Sequence, residues 1–362
     1  MRLLIIALVT LGFACTPKEA PPAEPEATEA EVTQVAEEVE VAEPADPGEA
    51  PEAAEEEGLG ELPPLPGVLL GKTPELGSAP TVVVENAGAD PKKKLAFALK
   101  PGTSSASVAV GLEIEAVVAL FGVKSPRYTV SYDLALTTKK AKKGAFVVEV
   151  AVNQATFDEK TIGKPRRLAQ IEAAAKSMKK VKGSYVLSAN GVVTKLNLTL
   201  PDSEIKALKA VPGAGRTALD MVETIRWAIL QLTPAFPDEP IGAGATWTVQ
   251  RSLTQAGIII HQLATYELVS AEGGTVALSV GTRQGAEEQM YQNPGMRNDL
   301  KLTVLNGTGE GTVRWRADDA LPTTANVEST VVKGVRQLSD KADQAPVDSA
   351  VQTKRSATMG KL

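Results

Sequence analysis

Long stretches of the chain alternate apolar and polar residues, which is the period expected of a β-strand with one buried face. Residues 128–136 alternate in this way, residues 137–144 form a Lys-rich turn, and residues 145–157 alternate again. This pattern predicts a long β-hairpin with a basic tip. A second hairpin is predicted over residues 184–187 and 192–200, since the intervening Asn190-Gly191 is a strong signal for a hairpin turn.

Similar alternation predicts seven further strands in the C-terminal part of the chain. Asn306-Gly307 is interpreted as a turn between two of them. The predicted strands cover residues 247–253, 258–269, 275–282, 301–305, 311–317, 323–335 and 347–358.

Two segments have the apolar spacing of helices instead. The first, residues 164–178, opens with Pro165 at a favourable first-turn position. The second, residues 217–232, is apolar on most faces, which predicts burial against the sheet. The predicted fold is therefore mainly β (α+β), a curved antiparallel sheet or half-open β-barrel with two helices packed in its concavity. The pattern also indicates an internal duplication, with halves 79–200 and 236–362 joined by helix 217–232.

The N-terminus has the features of an export signal. Arg2 precedes an apolar run that is shorter than the roughly 20 residues needed to span a bilayer. The run ends at Gly12-Phe13-Ala14-Cys15, which resembles a bacterial lipobox, although Gly12 stands where leucine is usual and Phe13 is bulkier than usual. The resemblance implies that residues 1–14 are a removed signal peptide and that Cys15 is lipidated.

Cys15 is the only cysteine, so it has no disulfide partner within the chain. A lipidated N-terminal cysteine bears two or three acyl chains, which gives a stable membrane anchor. Thr16 follows it in place of the aspartate of inner-membrane retention signals, which favours the outer membrane of the cell envelope, on its periplasmic or surface face.

Charge divides the chain into an acidic leader and a basic body. Residues 16–62 contain 16 acidic residues and one basic residue, whereas the chain from Pro63 onward contains 36 Lys or Arg and 28 Asp or Glu, a balance of +8. Residues 15–66 are rich in Pro, Ala and Glu and too poor in apolar residues to form a core, which predicts a disordered tether. Residues 67–362 are then the β-rich envelope domain.

The segment 236–249 (FPDEPIGAGATWTV) is similar to a motif in uncharacterised bacterial secreted proteins and lipoproteins of unknown function, and the likeness extends over residues 94–362. The architecture resembles the half-open β-barrels of periplasmic lipoprotein carriers and mycobacterial lipid-binding lipoproteins. That resemblance implies an apolar cavity for acyl chains. Within the motif, Trp247 is interpreted as a core residue and Gly242 and Gly244 as turn formers.

No residue pattern indicates catalysis. His261 is the only histidine, no Gly-x-Ser-x-Gly is present, and a His-based metal site is excluded by count. The sequence therefore predicts a protein that is not an enzyme, with no catalytic residues, no metal site and no cofactor.

Two functions remain open. One is binding of lipid or lipoprotein acyl chains, with the apolar helix lining the cavity. The other is a tethered module that binds envelope protein or cell wall without a small ligand. The expected partners are the membrane, through the Cys15 anchor, and an acyl lipid or envelope protein; nucleic acid is not expected. The predicted cavity-lining residues are Leu219, Val222, Ile225, Trp227 and Ile229.

Overall fold

Thirteen β-strands and three α-helices form the framework of the computed structural model, which describes residues 74–118, 121–158, 165–255, 257–291, 300–337 and 347–360. The predicted signal peptide, Cys15 and the tether lie outside these residues. The helices are α1 (Pro165–Ser177), α2 (Asp202–Ala207) and α3 (Ala214–Leu232). The strands are β1 (Thr81–Asn86), β2 (Gly102–Val118), β3 (Phe121–Lys140), β4 (Phe146–Phe157), β5 (Lys182–Leu187), β6 (Val193–Thr199), β7 (Thr246–Gln255), β8 (Ile258–Glu272), β9 (Thr275–Gly285), β10 (Gln289–Tyr291), β11 (Leu300–Arg316), β12 (Thr324–Gln337) and β13 (Val347–Gly360).

All thirteen strands belong to one curved antiparallel sheet. Its order is β1-β7-β8-β9-β11-β12-β13-β2-β3-β4-β5-β6, with the short β10 paired beside β11. The end strands β1 and β6 are not paired with each other in the described residues, so the sheet stays open. This arrangement confirms the predicted fold class.

The two predicted halves occupy contiguous blocks of this sheet. Strand β13 pairs with β2 along its length, from Ser349 opposite Val118 to Gly360 opposite Ser107, and so joins the blocks. Strand β1 is an exception, because it belongs to the N-terminal half in sequence but pairs with β7 at the far end of the other block.

Helix α3 lies against the inner face of the sheet. Its residues contact β2, β6 and β12, and α1 packs against both α3 and β4. Eleven of its side chains are buried, among them Met221, Ile225 and Trp227, which confirms the burial predicted from its apolar pattern. No helix in the described part of the chain is both long and apolar enough to cross a membrane.

Both predicted hairpins are present, as β3–β4 and β5–β6. The predicted turn at Asn306-Gly307 is wrong, because both residues lie inside the continuous strand β11 and pair with β9 and β12. The glycines at 307, 309 and 311 do not form a turn but stand where atoms of the neighbouring strands approach closely. A Cβ on Gly309, for example, would lie 2.6 Å from Thr282 Oγ1. Strands β1, β2 and β10 and helix α2 were not predicted.

Five of the 14 aromatic residues form a cluster of contacting rings in the interior of the sheet. Phe97 packs on Trp315 with ring centroids 4.1 Å apart. Trp247 is fully buried, stacks on Tyr266 and donates from Nε1 to the carbonyl of Ala235 at 2.8 Å. This confirms the core interpretation of Trp247. The aromatic cluster therefore packs beside the C-terminal end of α3, since Ala235 and Phe236 follow that helix.

Candidate functional site between the two ends of the sheet

A cavity of about 280 Å³ lies where the two ends of the open sheet approach each other. We call it the edge cavity. One wall comes from β7, β8 and the segment that precedes β1, the opposite wall comes from β6 and the turn before it, and the C-terminal half of α3 lies between them. Its apolar lining consists of Leu76, Pro80, Val192, Val193, Leu196, Leu230, Ala235, Val249, Leu253 and Tyr266.

The charged residues that line the edge cavity are all cations. They are Lys195 on β6, Arg226 on α3 and Arg251 on β7, and no Asp or Glu is in the lining. Lys195 adopts a positive φ of 51°, unlike any other described residue except glycine. Arg226 is paired with Glu223, whose Oε1 lies 3.1 Å from Arg226 Nη1. The cavity wall therefore has a net positive charge.

Arg251 is placed by the alternation of β7, in which Trp247, Val249 and Arg251 face the interior. Its Nε donates to Gln262 Oε1 at 3.0 Å and its Nη2 donates to the carbonyl of Leu230 at 3.0 Å. Burial lowers the pKa of the Arg251 guanidinium, and the neighbouring Tyr266 raises it in part. Within the described residues, no carboxylate lies within ion-pair distance of Arg251.

Thr233 follows the last turn of α3 and also lines the edge cavity. Its side chain is 3% exposed, and its Oγ1 has no hydrogen-bond partner within the described part of the chain. Buried hydroxyl groups are normally hydrogen-bonded. An unpartnered hydroxyl beside a cavity therefore indicates a position at which a ligand forms a hydrogen bond.

A layer of polar side chains crosses the interior between the main core and a second apolar cluster. Along β8 the inward residues run from Tyr266 and Ala264 in the main core, through Gln262, to Ile260 and Ile258 in a second, smaller apolar cluster. Gln262 is fully buried and exchanges hydrogen bonds with Gln231 of α3, the shorter of which is 2.8 Å. The layer also includes Thr282, Gln284 and Ser329, all nearly fully buried.

Two more cations lie close to α3, Lys333 on β12 and Arg355 on β13. Burial lowers the pKa of Lys333, and the nearby guanidinium groups of Arg355 and Arg216 lower it further. The Arg355 guanidinium lies 5.8 Å from the centre of the Trp227 ring, within the range of a cation–π contact. The side-chain amide of Gln255 contacts the same guanidinium.

His261 is on the outer side of β8 and bonds to Ser252 of β7, with 2.8 Å between Nδ1 and Oγ. Ser252 Oγ also donates to the carbonyl of Pro74 at 2.5 Å. These bonds tie the segment before β1 to the sheet. No group of three or more His, Cys, Asp or Glu side chains arranged to hold a metal is found in the ranges that the structure describes.

The five side chains predicted to line a cavity lie elsewhere. Val222, Ile225, Trp227 and Ile229 are buried in the main core, Leu219 is half-buried, and none of the five lines the edge cavity. A second cavity, of about 240 Å³, lies between the start of β2 and the turn after β11, and these five do not line it either. Their role in ligand binding stays a prediction.

Arg251 was not predicted as a site residue, although the sequence contains a signal for it. In the β7 sequence TWTVQRSLTQ, Arg251 has the same parity as Trp247 and Val249, which places a charged side chain on the core face. A half-buried arginine on a core face without a carboxylate partner is uncommon and is a reason to look for a ligand.

The chain matches no protein-family model and no curated relative. Among solved structures it is similar to two mutants of a porin from Rh. blastica, at 9% and 10% identity and TM-scores of 0.21 and 0.19. Each alignment covers 71% of this chain and 100% of the porin. At TM-scores this low, the likeness supports no inference about function.

Proposed function

We propose that the protein is a membrane-anchored lipoprotein of the cell envelope that binds an acyl-chain ligand in the edge cavity. The anchor is Cys15, for which the N-terminal sequence is the support, and the acidic tether 15–66 separates it from the β-rich domain. The residue after Cys15 favours the outer membrane.

The observation that supports ligand binding is the edge cavity itself. Its volume of about 280 Å³ is just below the range of roughly 300–1,000 Å³ for small-molecule sites. Ten of its twenty lining residues are apolar and the others include several polar and cationic groups, and small-molecule sites likewise combine apolar surface with polar groups that orient the ligand. A single medium-length chain is the ligand that fits this shape.

The main core leaves little room for an alternative acyl site beneath α3. Side chains such as Ile225, Ala228 and Leu232 are at most 2% exposed and pack directly against the sheet. Protein interiors packed in this way do not admit a ligand without rearrangement. The proposed site is therefore at the open edge, beside Leu230, rather than along the buried face of α3.

The test uses the full chain with Cys15→Ser, so that no covalent lipid is present. We expect mass spectrometry of the purified protein to detect bound acyl lipid. Leu230→Trp, which fills the edge cavity, should remove it. Leu219→Trp is the matched control, because it places the same bulk on a half-buried leucine of the same helix outside the cavity. Absence of lipid from the parent protein, and failure to bind added decan-1-ol, would refute the proposal.

The alternative is a tethered interaction module, favoured by the +8 balance of the body and by the basic β3–β4 tip. Lys139, Lys140 and Lys142 are exposed there. This function predicts binding to anionic lipid vesicles that weakens as salt is added, with no effect of Leu230→Trp. Charge reversal of Lys140 and Lys142 would separate it from acyl binding.

A further inference from the structure

We infer that the ligand of the edge cavity is a single-chain anionic amphiphile, with its head group on Arg251 and Thr233 and its chain along the aliphatic wall. This inference rests on the proposed function, since it specifies the ligand class of the same cavity. The shared chemistry is an alkyl chain ending in a carboxylate or a phosphate.

Arg251 has hydrogen-bonding capacity that the protein does not use. A guanidinium has five N–H donors, and the two bonds to Gln262 and Leu230 use only two of them. Both acceptors are neutral groups. The remaining donors are on a residue that lines the cavity, where a carboxylate or phosphate can accept two of them side by side.

The charge of the cavity wall also favours an anionic ligand. The edge cavity has three cations in its wall and no acid, and only Arg226 has an ion-pair partner among the described residues. Arg251 also caps the end of α3 through the carbonyl of Leu230, but a helix end supplies only about half of a negative charge. A half-buried guanidinium therefore still needs an anion for full compensation.

Thr233 adds a neutral polar residue to the same cavity lining. Its buried hydroxyl has no hydrogen-bond partner in the described chain. An oxyanion is an acceptor for a hydroxyl donor. Both residues line the edge cavity, and Arg251 bonds to the carbonyl of Leu230, three residues before Thr233. A charged donor and a neutral donor thus belong to residues of one cavity, half of whose lining residues are apolar.

The experiment measures binding of decanoate, decyl phosphate and decan-1-ol to the full chain with Cys15→Ser. We expect the better anion to bind about ten- to a hundredfold more tightly than the alcohol, as charge-assisted hydrogen bonds predict. Arg251→Met should abolish that difference, and Thr233→Val should reduce affinity for the anion about threefold to tenfold. Arg283→Met is the matched control, because this exposed arginine of β9 does not line the cavity.

If Arg251→Met does not fold, as judged by circular dichroism, Gln262→Glu decides. It places a carboxylate beside Arg251 Nε and should also remove the preference for the anion. Equal binding of decan-1-ol and both anions, or a preference that survives neutralisation of Arg251, would overturn the inference and leave acyl binding intact. Failure of all three compounds to bind would instead refute the proposed function. The ranking of decanoate against decyl phosphate identifies the head group.

Discussion

Arg251 Nε and Gln262 Oε1 lie 3.0 Å apart on adjacent strands, and Gln262 donates in turn to Gln231 of α3 at 2.8 Å. This chain of bonds connects the wall of the edge cavity to the buried polar layer. Gln262 has no exposed surface, so solvent water cannot take the place of its hydrogen-bond partners. The position of the guanidinium therefore depends on a side chain that does not line the cavity.

The first prediction concerns that dependence. Gln262→Leu should lower the free energy of unfolding by about 2–3 kcal/mol, because it leaves Arg251 Nε and the side-chain amide of Gln231 without their hydrogen-bond partner. Urea denaturation measures the loss. Gln262→Glu retains an acceptor for Arg251 and should cost less. Equal stability of Gln262→Leu and the parent protein would show that the hydrogen bonds of Gln262 make no net contribution to the free energy of unfolding.

The second prediction concerns alkaline pH. Burial raises the pKa of all five tyrosines above the ordinary value of 10: Tyr128, Tyr132, Tyr185, Tyr266 and Tyr291. In the unfolded chain the phenols ionise near pH 10, whereas in the folded protein they keep their protons. The stability present below that pH is therefore lost as the pH rises past it, by about 1.4 kcal/mol per pH unit for each affected tyrosine.

Urea denaturation at several pH values, combined with tyrosinate absorbance, tests this. Tyr132 is 1% exposed. Tyr132→Phe should therefore reduce the loss of unfolding free energy above pH 10 by about 1.4 kcal/mol per pH unit. The phenols should ionise together with unfolding. Separate ionisation of Tyr132 at its ordinary pKa in the folded state would contradict the prediction.

The strands that the sequence predicted are those in which one face meets the core and the other meets solvent. In β4, for example, Phe146, Val148 and Val150 are buried and alternate with more exposed residues, so the period is visible. Helix α3 was predicted for the equivalent reason, since its apolar faces are buried on several sides. Local pattern and tertiary environment agree in these elements.

The misses have physical causes too. Strand β2 begins GTSSASVAV, where small hydroxyl residues hide the alternation, although Val108 and Val110 are buried. Strand β11 contains an Asn-Gly pair that usually signals a turn, but pairing on both sides overrides this preference. The edge cavity depends on which distant segments meet, such as β6 and β7, and no local pattern specifies that.

The third prediction uses the glycines of the sheet. Gly309→Ala should destabilise the protein by about 1–3 kcal/mol, because the new methyl group would meet Thr282 and the backbone of Glu328. Gly281 on the adjacent strand β9 is the matched control, since a Cβ there has no atom within 4 Å. Gly281→Ala should be neutral or stabilising by about 0.4–1 kcal/mol, through lower entropy of the unfolded chain. Similar effects of the two substitutions would indicate that close packing does not explain the glycine at 309.

The last prediction concerns the anchor. If Cys15 is the lipidated first residue of the mature protein, intact mass spectrometry of protein extracted from membranes should show a chain that begins at Cys15 and bears two or three acyl groups. Cys15→Ser should remove that mass and release the protein from the membrane fraction, because stable anchoring takes more than one acyl chain and a hydroxyl cannot accept the thioether-linked group. Ser78→Ala, which alters a surface side chain of the domain, serves as the control for handling and should leave the protein in the membrane. Retention of Cys15→Ser in the membrane fraction with an uncleaved N-terminus would point to an uncleaved signal segment as the anchor. Retention after cleavage would instead mean that the basic domain binds the membrane directly, and added salt should then release it.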